Sequence, residues 1–112
     1  MIESYSFGSM VIDGKEYTND LIIYPDRIQS SWWRIAGHRL DIEDIKEILE
    51  AKPEVLVVGT GASGLVEIPE ETERHIRSKG IRLIAQKTEE AYKTFNALSK
   101  SKKVIGAFHL TC

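Results

Sequence analysis

The amino-acid sequence predicts a single α/β domain spanning residues 1–112, with helices covering a central sheet, and three observations predict it. Val55-Leu56-Val57-Val58 is an apolar run without alternation that breaks at Gly59, the mark of a strand buried on both faces. Strand-like runs at Ile81–Gln86 and Val104–Leu110 then alternate with amphipathic stretches, so the second half reads βαβαβ. The first third is β-rich instead, built around Asp13-Gly14, the strongest short hairpin signal in the chain.

Taken in order, Ser4 to Ile12 alternates loosely through Tyr5, Phe7, Met10 and Ile12 and reads as one strand. Asp13-Gly14 turns it back into Lys15-Glu16-Tyr17. Asp20 to Tyr24 is a third short strand ended by Pro25-Asp26, and Arg27 to Ile35 is a further extended segment, which makes this region antiparallel. Asp41 then caps a helix, with Asp44 in the place of a capping-box glutamate and Ile42, Ile45, Ile48 and Leu49 forming its apolar stripe. Pro53 stops that helix. A second helix starts with Pro69 and runs to Lys79, buried through Thr72 and Ile76, with Gly80 at its end. Thr88 caps a third, whose acidic first turn, Glu89-Glu90, suits the positive end of the helix dipole and whose inner stripe is Ala91, Phe95 and Leu98.

Composition narrows the function classes. With 112 residues the chain is large enough for one hydrophobic core and needs no staple. Cys112 is the only cysteine, which rules out an internal disulfide and fits a reducing, cytoplasmic setting. Fifteen basic and 17 acidic residues give a net charge of −2, without the basic field that nucleic acid or an anionic membrane requires. Neither a signal segment nor an apolar run of membrane-spanning length is seen, so no membrane partner is expected.

Gly59, Gly61 and Gly64 spell G-x-G-x-x-G, but the context is wrong for a dinucleotide site. Leu65 to Ile68 intervene before the next helix, Gln86-Lys87 stand where a ribose-binding acid belongs, and the chain is too short for two nucleotide-binding halves. No cofactor is expected. What survives is a structural loop or a loop for a smaller anion. Parallel strands at Val55 and Ile81 would set Gly59, Thr60 and Gly61 beside the Thr88 helix start at the carboxyl edge of the sheet, where open α/β sheets bind ligands. Gly59 ends the strand and is assigned the turn, Gly61 the close approach.

Other residues carry paired readings. Trp32 and Trp33 are adjacent and face opposite ways in an extended chain, one toward the core and the other toward a pocket or partner. His38 follows Gly37 and is a loop histidine or an acid-base group. His109 and Cys112 form H-x-x-C, yet a straight strand sends them to opposite faces, and without further sulfur or histidine no metal is expected. Asn96 sits mid-helix against its propensity, so its amide should have a specific partner.

Phe7-Gly8-Ser9 with Gly14 and Tyr17, Trp33-Arg34, Gly37-His38, Gly59-Thr60-Gly61, Thr88 with Ala91, Asn96-Ala97-Leu98 and the closing His109-Leu110-Thr111-Cys112 together resemble the adipogenesis-associated Mth-type domain family. Its members are small archaeal and bacterial proteins, and the mitochondrial complex I assembly factor is among its relatives. The resemblance implies a three-layer α/β fold whose central sheet is mixed, with an antiparallel strand that the residues alone do not supply. It implies no established catalysis. Family motif positions fall on Gly59, Thr60, Gly61, Thr88, Asn96, His109 and Cys112, and on Trp33, Gly37 and His38. The expected function is a protein-binding or assembly module using a patch around Trp33 and His38, with another protein or a homo-oligomer as partner. The alternative is a small-anion or metabolite-binding protein or enzyme, with its site at the Gly59–Gly64 loop and the Thr88 helix start.

Overall fold

A computed structural model describes residues 1–112, folded as three layers about a mixed five-stranded sheet. Eight strands form: β1 (Ile2–Ser6), β2 (Ser9–Ile12), β3 (Lys15–Tyr17), β4 (Leu21–Ile23), β5 (Ile28–Gln29), β6 (Val55–Gly59), β7 (Arg82–Gln86) and β8 (Val104–Phe108). Helices α1 (Lys46–Glu50), α2 (Glu70–Ser78) and α3 (Thr88–Leu98) complete the domain. The main sheet has the order β5-β4-β8-β6-β7, and β1-β2-β3 make a separate antiparallel sheet.

β6 lies between β7 and β8 and runs parallel to both, so every residue of Val55–Gly59 is buried. Its side chains divide between two cores. Leu56 and Val58 join Ile22, Trp32, Ile45, Ile48, Ile76 and Ile105 under α1 and α2. Val55 and Val57 join Ile2, Met10, Phe95 and Phe108 under α3 and the small sheet. Full burial of each such aliphatic side chain is worth roughly 1.5–3 kcal/mol, which is why this run anchors the domain. The antiparallel strand expected from the family resemblance is β4, which pairs with β8 through Leu21↔Phe108 and Ile23↔Gly106.

Several boundaries differ from expectation. Ser4 to Ile12 is two strands, because Phe7-Gly8 turns the chain with Gly8 at φ +78°. The β-rich third is antiparallel as read, yet it is shared between sheets, since β4 and β5 leave the hairpins for the main sheet. Only Ile28–Gln29 of the Arg27–Ile35 segment is strand; beyond it the chain bends at Ser30 and runs on irregularly. The helix at Asp41 opens as a 3-10 turn over Ile42–Ile45 before α1 begins. There Asp44 accepts the Asp41 N–H (2.8 Å) and the Ile35 N–H (3.0 Å), so its short side chain holds the turn and the preceding segment at once. Pro69 is the cap of α2 rather than its first helical residue, and Thr72 and Ile76 are buried as the stripe requires. The Asp13-Gly14 turn forms with both residues at positive φ, +49° and +82°.

Candidate functional site

The carboxyl ends of β6, β7 and β8 point to one edge, and the antiparallel pairing of β4 brings Asp20 to that same edge beside His109. Asp20 Oδ2 lies 2.7 Å from His109 Nδ1 and 2.9 Å from Arg34 Nη1, while Oδ1 accepts the Leu110 N–H at 2.8 Å. A carboxylate only accepts, so the proton on His109 Nδ1 is donated to Asp20; Arg34 Nη2 lies 3.1 Å from the same nitrogen, and the Thr111 hydroxyl 3.3 Å from Nε2. Arg34 spends its Nε and Nη2 protons on the Gly37 carbonyl (3.1 and 2.7 Å) and lies over the Trp32 ring, 4.8 Å from its centroid. Its side chain is only 4% exposed and that of His109 7%, so this is an ion cluster inside the protein. Burial by itself raises the Asp20 carboxyl; the His109 hydrogen bond, the Leu110 amide and the His109 and Arg34 charges outweigh it and hold the group below its ordinary range. His38 meets His109 edge to face, ring centroids 5.6 Å apart.

The glycine loop and the start of α3 do meet at this edge, but most of their amides, those of Thr60, Gly61 and Thr88 included, are already engaged. Thr60 donates its N–H to Gln86 O, Gly61 to Thr88 Oγ1, Ala62 to Thr111 O, Gly64 to Gly61 O, Leu65 to Cys112 O and Val66 to Thr60 O. Thr88 does not cap α3. Its buried hydroxyl accepts from Gly61 (2.9 Å) and donates to His109 O (2.6 Å), its own N–H goes to Gly61 O, and Lys87 is the cap. The division of labour between the glycines is also corrected. Gly61 has the positive φ (+107°), and a Cβ there would stand 2.3 Å from Cys112 C. The close approach it permits is to the chain's own final turn rather than to a ligand. Gly59 keeps ordinary strand backbone, and its Cβ position is crowded by Phe108 and Thr88.

Trp32 is buried at 5% exposure, donating its indole N–H to Asp44 O, and Trp33 stands 85% exposed, the opposite facing that the sequence predicts. Trp33 lines a recess of about 270 Å³ together with Asp20, Arg34 and Thr111. His38 is exposed beside it, and its carbonyl pairs with Glu67. Cys112 is held through its backbone carbonyl, half-buried. Asn96 has its specific partner: the amide accepts the Ile2 N–H (3.0 Å) and donates to Ile2 O (2.8 Å), stitching α3 to β1 away from this edge. Sequence reasoning missed Asp20 and passed over the charge of Arg34. Their only local signal is a charged residue beside an apolar one, which describes most of a protein surface.

Comparison with known proteins places the chain. Residues 2–109 match the family described as "Protein of unknown function (DUF498/DUF598)". Among curated proteins, the chain is 31% identical over 110 residues to NADH dehydrogenase [ubiquinone] 1 alpha subcomplex assembly factor 3 of Danio rerio, covering 96% of this chain and 62% of that one. The Homo sapiens protein of the same name is 28% identical, with 95% and 58% covered. The chain thus spans about three-fifths of the length of these relatives. A conserved hypothetical protein of Pyrococcus horikoshii OT3 superposes with a TM-score of 0.85 at 32% identity, covering 100% and 99% of the two chains. A Mth938-like domain from Bordetella pertussis shares the fold at a TM-score of 0.67 and 18% identity, with 97% and 84% covered, in line with the Mth-type resemblance.

Proposed function

The chain belongs to the DUF498/DUF598 family of proteins of unknown function, and on that premise we propose that it is a protein-binding module serving the assembly of a larger complex. Its docking face is the carboxyl edge of the main sheet. One observation carries this: Phe7 (65% exposed), Trp33 (85%) and Leu65 (49%) come from three separate loops that all border the Leu110–Cys112 segment. Gly8, next to Phe7, donates to Leu110 O; Leu65 donates to Cys112 O; Trp33 and Thr111 line one recess. Large side chains left in water around one segment mark an interaction surface more than a fold requirement. The buried Asp20–Arg34–His109 cluster beneath them suits a rigid frame, since it ties the Trp33–Arg34 loop to the start of β4 and to the Leu110–Cys112 segment that the other two loops border.

The names of the relatives, assembly factors of NADH dehydrogenase, support the same class of role. For this chain the partner is another protein or a second copy of itself, in a cytoplasmic setting, and the net charge of −2 favours neither nucleic acid nor an anionic membrane. Size-exclusion chromatography and affinity capture from cell extract test the reading, with wild type beside Trp33→Ala. Because Trp33 is exposed, the substitution should alter stability by no more than about 0.5 kcal/mol. A wild type that stays monomeric at high concentration, and captures nothing that Trp33→Ala loses, would end the proposal. The small-anion or metabolite reading at the Gly59–Gly64 loop and Thr88 has less support, because the Thr60, Gly61 and Thr88 amides it calls on are bonded within the chain. A thermal-shift screen of phosphates, carboxylates and nucleotides should return no stabilising compound.

A further inference from the structure

Trp33 also forms one wall of a second recess, a groove of about 610 Å³ between the edge strand β5 and the short helix α1. Its apolar side is the exposed Trp33 and Ile35, 85% and 72% accessible. Its other side is acidic, with Glu43, Asp44, Glu47 and Glu50 against the single cation Lys46. Lys46 lies 3.4 Å from Glu43, and Asp44 is spent on the Asp41 and Ile35 amides. Glu47 and Glu50 therefore have no cationic partner, and no cation lies over Trp33, whereas Arg34 covers the buried Trp32. Tyr24, in the groove wall and only 3% exposed, has its hydroxyl buried without a hydrogen-bond partner.

An exposed indole beside unpaired carboxylates is complementary to a cation carried on an apolar stem, because the ring face and the carboxylates both favour positive charge while the stem covers apolar surface. We propose that this groove receives a basic segment of the partner protein, an arginine or lysine side chain lying on Trp33 with its charge met by Glu47 and Glu50. The inference rests on the docking function proposed above and names the chemistry of the partner. A second copy of the chain, offering Lys100, Lys102 and Lys103, is the competing occupant that the test must separate.

The test titrates two short capped peptides into isotope-labelled protein and follows amide and indole NMR shifts. One alternates arginine with serine; the other has glutamate in place of arginine. The arginine peptide should shift the Trp33 indole N–H and the Glu43–Glu50 amides, and the glutamate peptide should not. Trp33→Ala, or Glu47→Gln with Glu50→Gln, should weaken binding by roughly fivefold or more, and added salt should weaken it further. All three positions are exposed, so the variants keep the fold, as unchanged spectra elsewhere will show. Shifts outside the groove, equal binding of both peptides, or indifference to the glutamine pair would overturn the proposal, as would concentration-dependent self-association that the glutamine pair abolishes. Partner capture that needs Trp33 but not Glu47 or Glu50 would remove this inference and leave the docking function standing; capture that needs none of the three would remove both.

Discussion

Replacing Gly61 by alanine should be the most damaging glycine substitution in the chain, and the structure gives the size of the effect. At φ +107° a side chain costs about 1–2 kcal/mol by itself. The new Cβ would also stand 2.3 Å from Cys112 C, 2.5 Å from Cys112 O and 2.8 Å from His109 Cδ2, so backbone must move. Moving it strains or breaks the Ala62–Thr111 and Leu65–Cys112 hydrogen bonds, each worth about 1 kcal/mol. The total is about 3–4 kcal/mol. Gly80→Ala is the internal control, because Gly80 has φ +76° but open space around it; about 1 kcal/mol is expected there. Gly59→Ala, with overpacking against Phe108 and Thr88 but no positive φ, should fall between, at about 1–3 kcal/mol. Urea titrations give all three from shifts in midpoint at constant slope. Removing Cys112 takes away the closest clash, so the Gly61→Ala penalty should shrink in that background, a coupling read from the double-mutant cycle. If Gly61→Ala costs no more than Gly80→Ala, the reasoning about the final turn is wrong.

Asp20 predicts a pH dependence. Its folded-state pKa is lowered, so the folded protein binds fewer protons than the unfolded one; the stabilisation is full above the unfolded value near about 4 and is lost as pH falls through the folded value. Denaturant titrations should show wild type losing stability in that acid window, whereas Asp20→Asn, weaker at neutral pH by about 3 kcal/mol from the stranded Arg34 charge, should have a flatter profile. An unchanged profile would remove Asp20 from the cluster's energetics. Asn96→Ala should cost about 2 kcal/mol by thermal or urea melting, since both bonds to the Ile2 backbone disappear together. Cys112→Ser should shift the melting temperature by no more than about 2 °C, because the backbone of Cys112, not its thiol, makes the contacts; a drop of about ten degrees would reveal a packed sulfur.

What could be read from sequence was what neighbouring residues decide. Val55 to Val58 announced a doubly covered strand, Asp13-Gly14 its turn and Ala91 with Phe95 the buried stripe of α3, because each signal is complete within a few residues. Asn96 announced the need for a partner without naming Ile2. The candidate edge was found through the glycine loop, but its content was not. Whether Gly59 or Gly61 takes the positive φ depends on where Thr111 and Cys112 return, and whether Thr88 caps or ties depends on the His109 carbonyl above it. Threonine at a helix start serves both purposes, so propensity could not choose. Asp20 and Arg34 were invisible for a related reason: a buried charge is recognisable only once its partners are in place, and Asp20 meets His109 through strand pairing across nearly the whole chain, with Arg34 closing on the same carboxylate.

That long-range pairing sets the order in which the molecule can be made. Apart from its short neighbour β5, strand β4 joins the main sheet only through β8, and β6 has β7 on one flank but waits for β8 on the other. During synthesis the β1-β2-β3 sheet, the short β4-β5 hairpin and the β6-α2-β7 unit can form early, yet the other edge of Leu21, Ile22 and Ile23 stays open until the final segment emerges. Contacts of such sequence separation slow folding and leave unpaired apolar edges exposed in the interval. The closing event is then insertion of Val104–Phe108 between two waiting strands, with Leu110 taking the Gly8 amide and the Tyr5 hydroxyl on its carbonyl as a latch. A nascent chain stalled before that event would present two open strand edges facing each other, a gap that another strand of similar sequence could enter in place of its own.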